Sequence, residues 1–577
     1  MSGCYIKHLC ILLIAVNIVP VRAQLVGHTY FDSPVKIPVY LAASFGELRA
    51  NHFHSGIDIK TDGRVGVPIY AAADGFVSRI SVSSGGYGLA LYIDHPNGTT
   101  TLYGHLQSFR KDIQSYVKEE QYDRESFSVD LELPAERFPV KRGDFVALSG
   151  NSGGSAGPHL HFEIRDRETQ TPVNPLIDWF TVADSLPPTI QAVMLYPLSP
   201  DARVSGQLTP QRTNVTFNNG KYRLTPPTPL KVYGDIGFGV LAFDRFSGSP
   251  NNKCGIYEME LAVDDIVVYH YRMDRFGFDF TRYINSHTDY AYYLQHYQMF
   301  QKLWVESGNR LQNYPLLMRR GIVNLSDGIE HTVNYTLWDT NGNASRLEFV
   351  VLAESSAEPA SGPETSSVRQ LAEPDCPFHL ADDGIEVYFR EGTFYTDVPF
   401  EYSRAKGDST LYSPVFHLHS RTVPVHQGFH ICIRAENLPA SMADKALLCL
   451  INGRSKASAG GKWDNGWVVA DVRQLGTYAI VVDTVPPVIT PLNIKNHSIL
   501  QNKNKISFKI SDNFSGIAHY RGEIDGKWAL FEYDAKNRLL EHTFDSARTA
   551  LGKNHDFKLT VTDAKGNQAV YTAKFYR

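Results

Sequence analysis

The chain has 577 residues, 43% of them hydrophobic and 20% charged, with 56 Lys and Arg against 61 Asp and Glu for a net charge of −5. That length exceeds what one hydrophobic core can hold, so roughly three to five domains are expected, and the composition is ordinary for globular protein. The slight acidity and the lack of a basic cluster exclude nucleic acid as a partner.

Residues 1–23 read as a secretory signal peptide. Lys7 supplies the positive start, Leu9 to Val19 the apolar stretch, and Val21-Arg-Ala23 the small-residue site before Gln24. The alternative is an uncleaved anchor, but the apolar stretch is short for a span, and no later one is long enough. The expected product is an exported chain, periplasmic or secreted, with no stable membrane span once the signal is removed.

Residues 24–182 form the first expected unit. Ala71 to Ile80 and Leu89 to Ile93 read as strands, and Asp94-His-Pro-Asn-Gly98 as the turn into a strand ending at His105. Residues 110–139 read as a polar insertion over a β core, helical near Arg110 to Glu120. The rest of the chain contains an internal repeat. Asp184-Ser-Leu-Pro-Pro188 echoes Asp483-Thr-Val-Pro-Pro487. Phe243-Asp-Arg-Phe-Ser-Gly248 echoes Ser511-Asp-Asn-Phe-Ser-Gly516, and Trp338-Asp-Thr-Asn-Gly-Asn343 echoes Thr562-Asp-Ala-Lys-Gly-Asn567. Three matches in one order indicate duplication, and the last pair reads as turn chemistry between final strands. The expected units are sandwich-like modules at 184–353, with insertions, and 484–577. Between them lie a linker at 354–374 and a β-rich unit at 375–482. Cys254, Cys376, Cys432 and Cys449 remain after the signal; four cysteines allow three pairings, and we read them as structural or free.

Five residues of the first unit carry chemistry: His54 and Asp58, His105, and His159 with His161. In a strand, side chains at i and i+2 share a face. Leu160, Phe162 and Ile164 then face a core, and His159 and His161 project together from the other side. His54 and Asp58, four apart with Gly56 between them, share one face of an extended segment. Two imidazoles and a carboxylate suit an open zinc site, and two further histidines suit the handling of protons and charge, which together make a kit for metal-assisted hydrolysis.

These motifs closely resemble the LytM/lysostaphin family of zinc endopeptidases, which cleave peptidoglycan cross-bridges. The likeness covers 24–182. It takes in Phe45-Gly-Glu-Leu-Arg49, Gly66 to Gly75, Gly85-Gly-Tyr-Gly88, and Ser152 to Ile164 with its Gly-Pro-His-Leu-His core. The resemblance implies that His54, Asp58 and His161 ligate one Zn2+ and that His105 and His159 are the catalytic pair. It does not say which of the two is the base. The resemblance implies a compact all-β metallopeptidase domain with the duplicated hybrid motif of the family; with the three β-sandwich-like (Ig-like) modules read downstream from the repeat and strand patterns, the expected fold class is mainly β. The implied activity is zinc-dependent hydrolysis of peptidoglycan cross-links or stem peptides, with surfaces for envelope protein partners on the C-terminal β domains. The alternative is a non-catalytic cell-wall-binding or hydrolase-activating scaffold.

Rival motifs are weaker. A two-histidine, one-carboxylate set also serves non-haem iron, but two extra histidines fit hydrolysis better. Gly150-Asn-Ser152-Gly-Gly154 has nucleophile-elbow spacing without the strand-turn-helix context, so Ser152 is expected in a loop. His52 is either a support for the ligand segment or a surface residue. His95 is expected in solvent, and His417 with His419 on a strand surface.

Overall fold

A computed structural model describes residues 30–177, 179–356 and 370–577; the expected signal peptide and most of the expected linker lie outside them. The chain is mainly β, with 47% strand and 8% helix.

The first unit is built on an antiparallel sheet. Its strands are β1 (Leu41–Ala43), β2 (Ile57–Lys60), β3 (Gly75–Val82), β4 (Leu89–Asp94), β5 (Thr99–Gly104), β6 (Val129–Glu132) and β7 (His159–Asp166), in the order β1-β2-β7-β5-β4-β3-β6. A three-stranded sheet of Pro68–Tyr70, Phe145–Ser149 and Leu106–Phe109 belongs to the same unit. Ile59, Leu91, Ile93, Tyr103, Leu160, Phe162 and Ile164 from the large sheet share one buried cluster with Ile69, Leu106 and Val146 from the small one. The alternation on β7 therefore delivers its apolar residues to the core, as the sequence suggests.

The insertion departs from expectation. Helix α1 (Lys111–Asp123) is there and buries Ile113 and Val117, but the segment after it is no polar cover. Val129 and Leu131 alternate with Asp130 and Glu132, and this period of two makes β6 an edge strand paired with β3.

The remaining described residues form further β domains. A 12-stranded sheet runs through strands from Thr189–Pro197 to Ala344–Ala353. Two five-stranded sheets enclose Val387, Phe416, Ile431 and Ile480, and the last two sheets enclose Phe508, Phe557, Leu559 and Phe575. Gln370–Ala372, within the expected linker, pairs as a strand with Val398–Phe400. The four cysteines are unbonded, Cys254 and Cys449 buried and Cys376 exposed. The last β domain folds back onto α1. Lys118 pairs with Asp545 at 2.7 Å, Arg521 with Glu125 at 2.6 Å, and Tyr122 lies between the edge of Trp528 and the Arg548 guanidinium.

Candidate metal centre

Strand pairing assembles the site. In the β2–β7 register His161 faces Asp58, and on the other flank of β7 it faces Gly104. His54 enters just before β2. Gly56 lets this segment lie against β7, where a Cβ would come within 2.4 Å of the Phe162 carbonyl oxygen.

Three ligand atoms converge. His54 Nε2 lies 3.0 Å from His161 Nδ1 and 3.1 Å from Asp58 Oδ1, and His161 Nδ1 lies 2.9 Å from the same oxygen. Each ring is held from behind: His54 Nδ1 donates to the Ser44 carbonyl at 2.8 Å, and His161 Nε2 donates to Glu163 Oε1 at 2.8 Å. These outer bonds fix the tautomers, so the inward nitrogens of the neutral rings carry lone pairs. Two lone pairs and a carboxylate oxygen turned upon one another repel unless a cation or a proton lies among them. The donor set, two nitrogens and one oxygen, fits zinc with a position left open.

The electrostatics agree. Burial raises the Asp58 carboxyl, but His54, His159 and His161 together hold it well below the usual range. Burial lowers His54, with Asp58 opposing. Burial likewise disfavours a charged His161, yet Asp58 and Glu163 draw it up to about 9, so a proton and a metal ion compete for its Nδ1.

The other two histidines flank this triangle. His105 sits at φ 57°, in the left-handed region uncommon for non-glycine residues and often found at functional sites. Its Nδ1 donates to the Ser152 carbonyl at 2.8 Å. His159 Nδ1 donates to the Gly157 carbonyl at 2.8 Å, and its Nε2 lies 3.4 Å from Asp58 Oδ1. The two rings are 4.8 Å apart. Burial, aided by His161 and His159, pushes His105 down to about 3, so it is neutral with its Nε2 lone pair available.

Residues beyond the five complete the centre. Glu163 is fully buried and also receives Ser55 Oγ, Tyr87 OH and Arg165 Nε, each at 2.6 Å. Burial opposes its charge, but Arg165 and His161 hold its carboxyl far below the usual range. Arg49 donates to Asp58 Oδ2 at 2.9 Å, which turns Oδ1 inward. Strand parity signals Glu163, two residues beyond His161; Arg49 lies in the lead-in segment but nothing in its spacing marks its role.

The rival motifs stay outside. His52 is exposed and bonded to the Ala50 carbonyl. Ser152 is a loop residue whose Oγ donates to Leu106 and accepts from Leu89. His417 is exposed on its strand, while His419 is buried and accepts from the Glu401 amide, against expectation. His95, expected in solvent, is 1% exposed: its ring turns inward between the Asp74 carbonyl and Thr101 Oγ1, both at 2.8 Å.

Residues 52–122 match the model of Peptidase family M23. The chain carries an M23 peptidase domain. The M23 match includes His54, Asp58 and His105 and ends before His159 and His161, which the β2–β7 pairing brings back to it. Residues 369–483 match the model of a Zu5-like domain. Among curated proteins, the chain is 33% identical over 129 residues to the DD-carboxypeptidase/endopeptidase Mpg of Neisseria meningitidis serogroup B, covering 22% of this chain and 23% of that protein. It is 33% identical over 135 residues to the peptidoglycan DD-endopeptidase ShyB of Vibrio cholerae, covering 23% and 25%. The matched part thus spans about a quarter of either relative. Among solved structures, the catalytic domain of the prophage-encoded M23 protein EnpA from Enterococcus faecalis aligns at 28% identity and a TM-score of 0.18, covering 24% of this chain and 89% of that one.

Proposed function

We propose that the chain is an exported zinc-dependent endopeptidase that hydrolyses peptide cross-links or stem peptides of peptidoglycan. The convergence of His54 Nε2, Asp58 Oδ1 and His161 Nδ1, each ring pinned from behind, carries this reading. In it these three residues hold one zinc ion, which when bound supplies a Lewis acid and lowers the pKa of water. His105, kept neutral by burial, accepts a hydrogen bond from the attacking water through Nε2 and orients it. His159 is the less buried of the pair; it exchanges the proton between that water and the departing amine, and steadies the oxyanion when it carries the proton. The relatives' printed names point to D,D-cross-links as the bond. Among the described residues no helix is long and apolar enough to cross a membrane, and M23 peptidoglycan endopeptidases generally act outside the cytoplasm. We read the downstream domains as Ig-like sandwiches at 184–353 and 484–577 around the β unit at 375–482, with surfaces for envelope partners.

The test is a digest of purified peptidoglycan by the chain beginning at Gln24, beside His159→Ala and a chelator-treated sample, with products identified by mass. Uncross-linked muropeptides and new free amines from the untreated chain alone are expected. Intact cross-links in every sample would favour the scaffold reading.

A further inference from the structure

Two carboxylate cradles recur in the β domains. Asp184, Asp244 and Asp339 bring one oxygen each to within 4.8 Å of one another, and so do Asp483, Asp512 and Asp563. The two trios are the same positions of the internal repeat, in the same order.

Their scaffolding also matches. Asp339 Oδ1 accepts the Asn341 and Asn343 amides at 2.9 and 2.8 Å, and Oδ2 accepts Asn343 Nδ2 at 2.7 Å. Asp563 Oδ1 accepts the Lys565 and Asn567 amides, both at 2.8 Å, and Oδ2 accepts Asn567 Nδ2 at 2.7 Å. The same asparagine amides reach the Asp184 carbonyl in one unit and the Asp483 carbonyl in the other. Ser247 N donates to Asp184, and Ser515 N donates to Asp483.

What these bonds leave over points to a ligand. Asp244 is 3% exposed, and its Oδ1 has no hydrogen-bond partner; neither does the buried Asp184 Oδ2 or Asp512 Oδ1. Buried polar atoms are almost always partnered, and a buried carboxylate without a counter-charge is costly. No guanidinium or ammonium donates a hydrogen bond to these three free oxygens: Arg245 and Lys253 lie over the Phe243 ring, and Lys565, whose charge is felt by Asp483 and Asp563, gives its Nζ to the Gly461 carbonyl.

We infer that each trio binds one hard divalent cation of the calcium class, bridging the free Asp244 and Asp184 oxygens to Asp339 in one cradle and Asp512 to Asp483 and Asp563 in the other. All-oxygen carboxylate donors favour calcium over softer metals. Both cradles sit where the chain passes between units. Asn341 Nδ2 holds the carbonyl of Val182, which is buried in the core of the first unit, and Asp483 N donates to Lys445 O at the end of the Zu5-like match. A bound cation therefore clamps the exit from one unit to the start of the next.

The experiment is calorimetric titration of Ca2+ alone into the zinc-loaded chain. Two sites per chain are expected for the wild type, one for Asp244→Asn, one for Asp512→Asn and none for the double variant. Asn keeps the shape of Asp, and an unchanged circular-dichroism spectrum with a cooperative unfolding transition verifies that each variant folds. Unfolding curves supply a second reading. Ca2+ raises the wild-type midpoint but not that of the double variant. Absence of Ca2+ binding by the wild type at millimolar concentration, or two sites surviving in the double variant, would overturn the inference.

Discussion

Glu163 does for His161 what the Ser44 carbonyl does for His54: it takes the outer N–H and turns the inner lone pair to the site. Such supports commonly govern metal affinity by about tenfold to a hundredfold. Glu163→Gln keeps the shape but removes the charge and unbalances Arg165. Zinc affinity, measured by competition with a chromogenic chelator, is expected to fall by about that factor; unchanged affinity would leave the carboxylate with no part in metal binding. The five chemical residues are legible because their spacing is local and strand parity aligns them. Glu163 obeys the same parity but lacks the motif that makes histidines conspicuous. Asp339 and Asp563 read as turn formers, since Asp-x-x-Gly-Asn is turn chemistry in any loop; only folding brings residues as distant as Asp184 and Asp339 together.

At the level of elements, the hairpin of Leu48–Arg49 and His52–Phe53 leads into His54 and rests on the short helical segment Ile284–His287. His287 is fully buried and bonded to Gln301 and Tyr314, and burial pushes it down to about 4. Its folded pKa lies below the unfolded value near 6.5, so the unfolded chain takes up a proton first and stability rises with pH across this window. Its contribution is complete above about pH 6.5 and is lost as pH falls toward about 4. Unfolding midpoints between these pH values should drop more steeply for wild type than for His287→Gln; parallel curves would contradict the assignment. His95 is buried in the same way, against the solvent position that its turn composition predicts. Asp94-His-Pro-Asn-Gly98 has the composition of an exposed turn, but the ring folds under it. Edge strand β6 is weakly marked in the sequence, because only four alternating residues follow a polar helix.

Across the whole molecule, the last β domain reaches the rim of the site. Lys536 Nζ donates to the Ser155 carbonyl at 3.0 Å and to the Asn151 carbonyl, gripping the loop whose Ser152 carbonyl holds His105. Contacts between residues almost four hundred positions apart leave no local trace in the sequence. Lys536→Ala frees this loop. A misplaced catalytic group is costly, so kcat should fall about tenfold or more with zinc content unchanged; an unaltered kcat would show that the loop stands without the last domain. The central claim is that one metal ion in the His54–Asp58–His161 triangle drives peptidoglycan hydrolysis. The most direct measurement is to strip the chain with chelator, restore zinc stepwise and follow cross-link cleavage, beside His161→Ala. Activity that returns linearly and saturates at one zinc per chain, with none in the variant, is the predicted result. Cleavage that survives stripping, or that His161→Ala retains, would contradict the account.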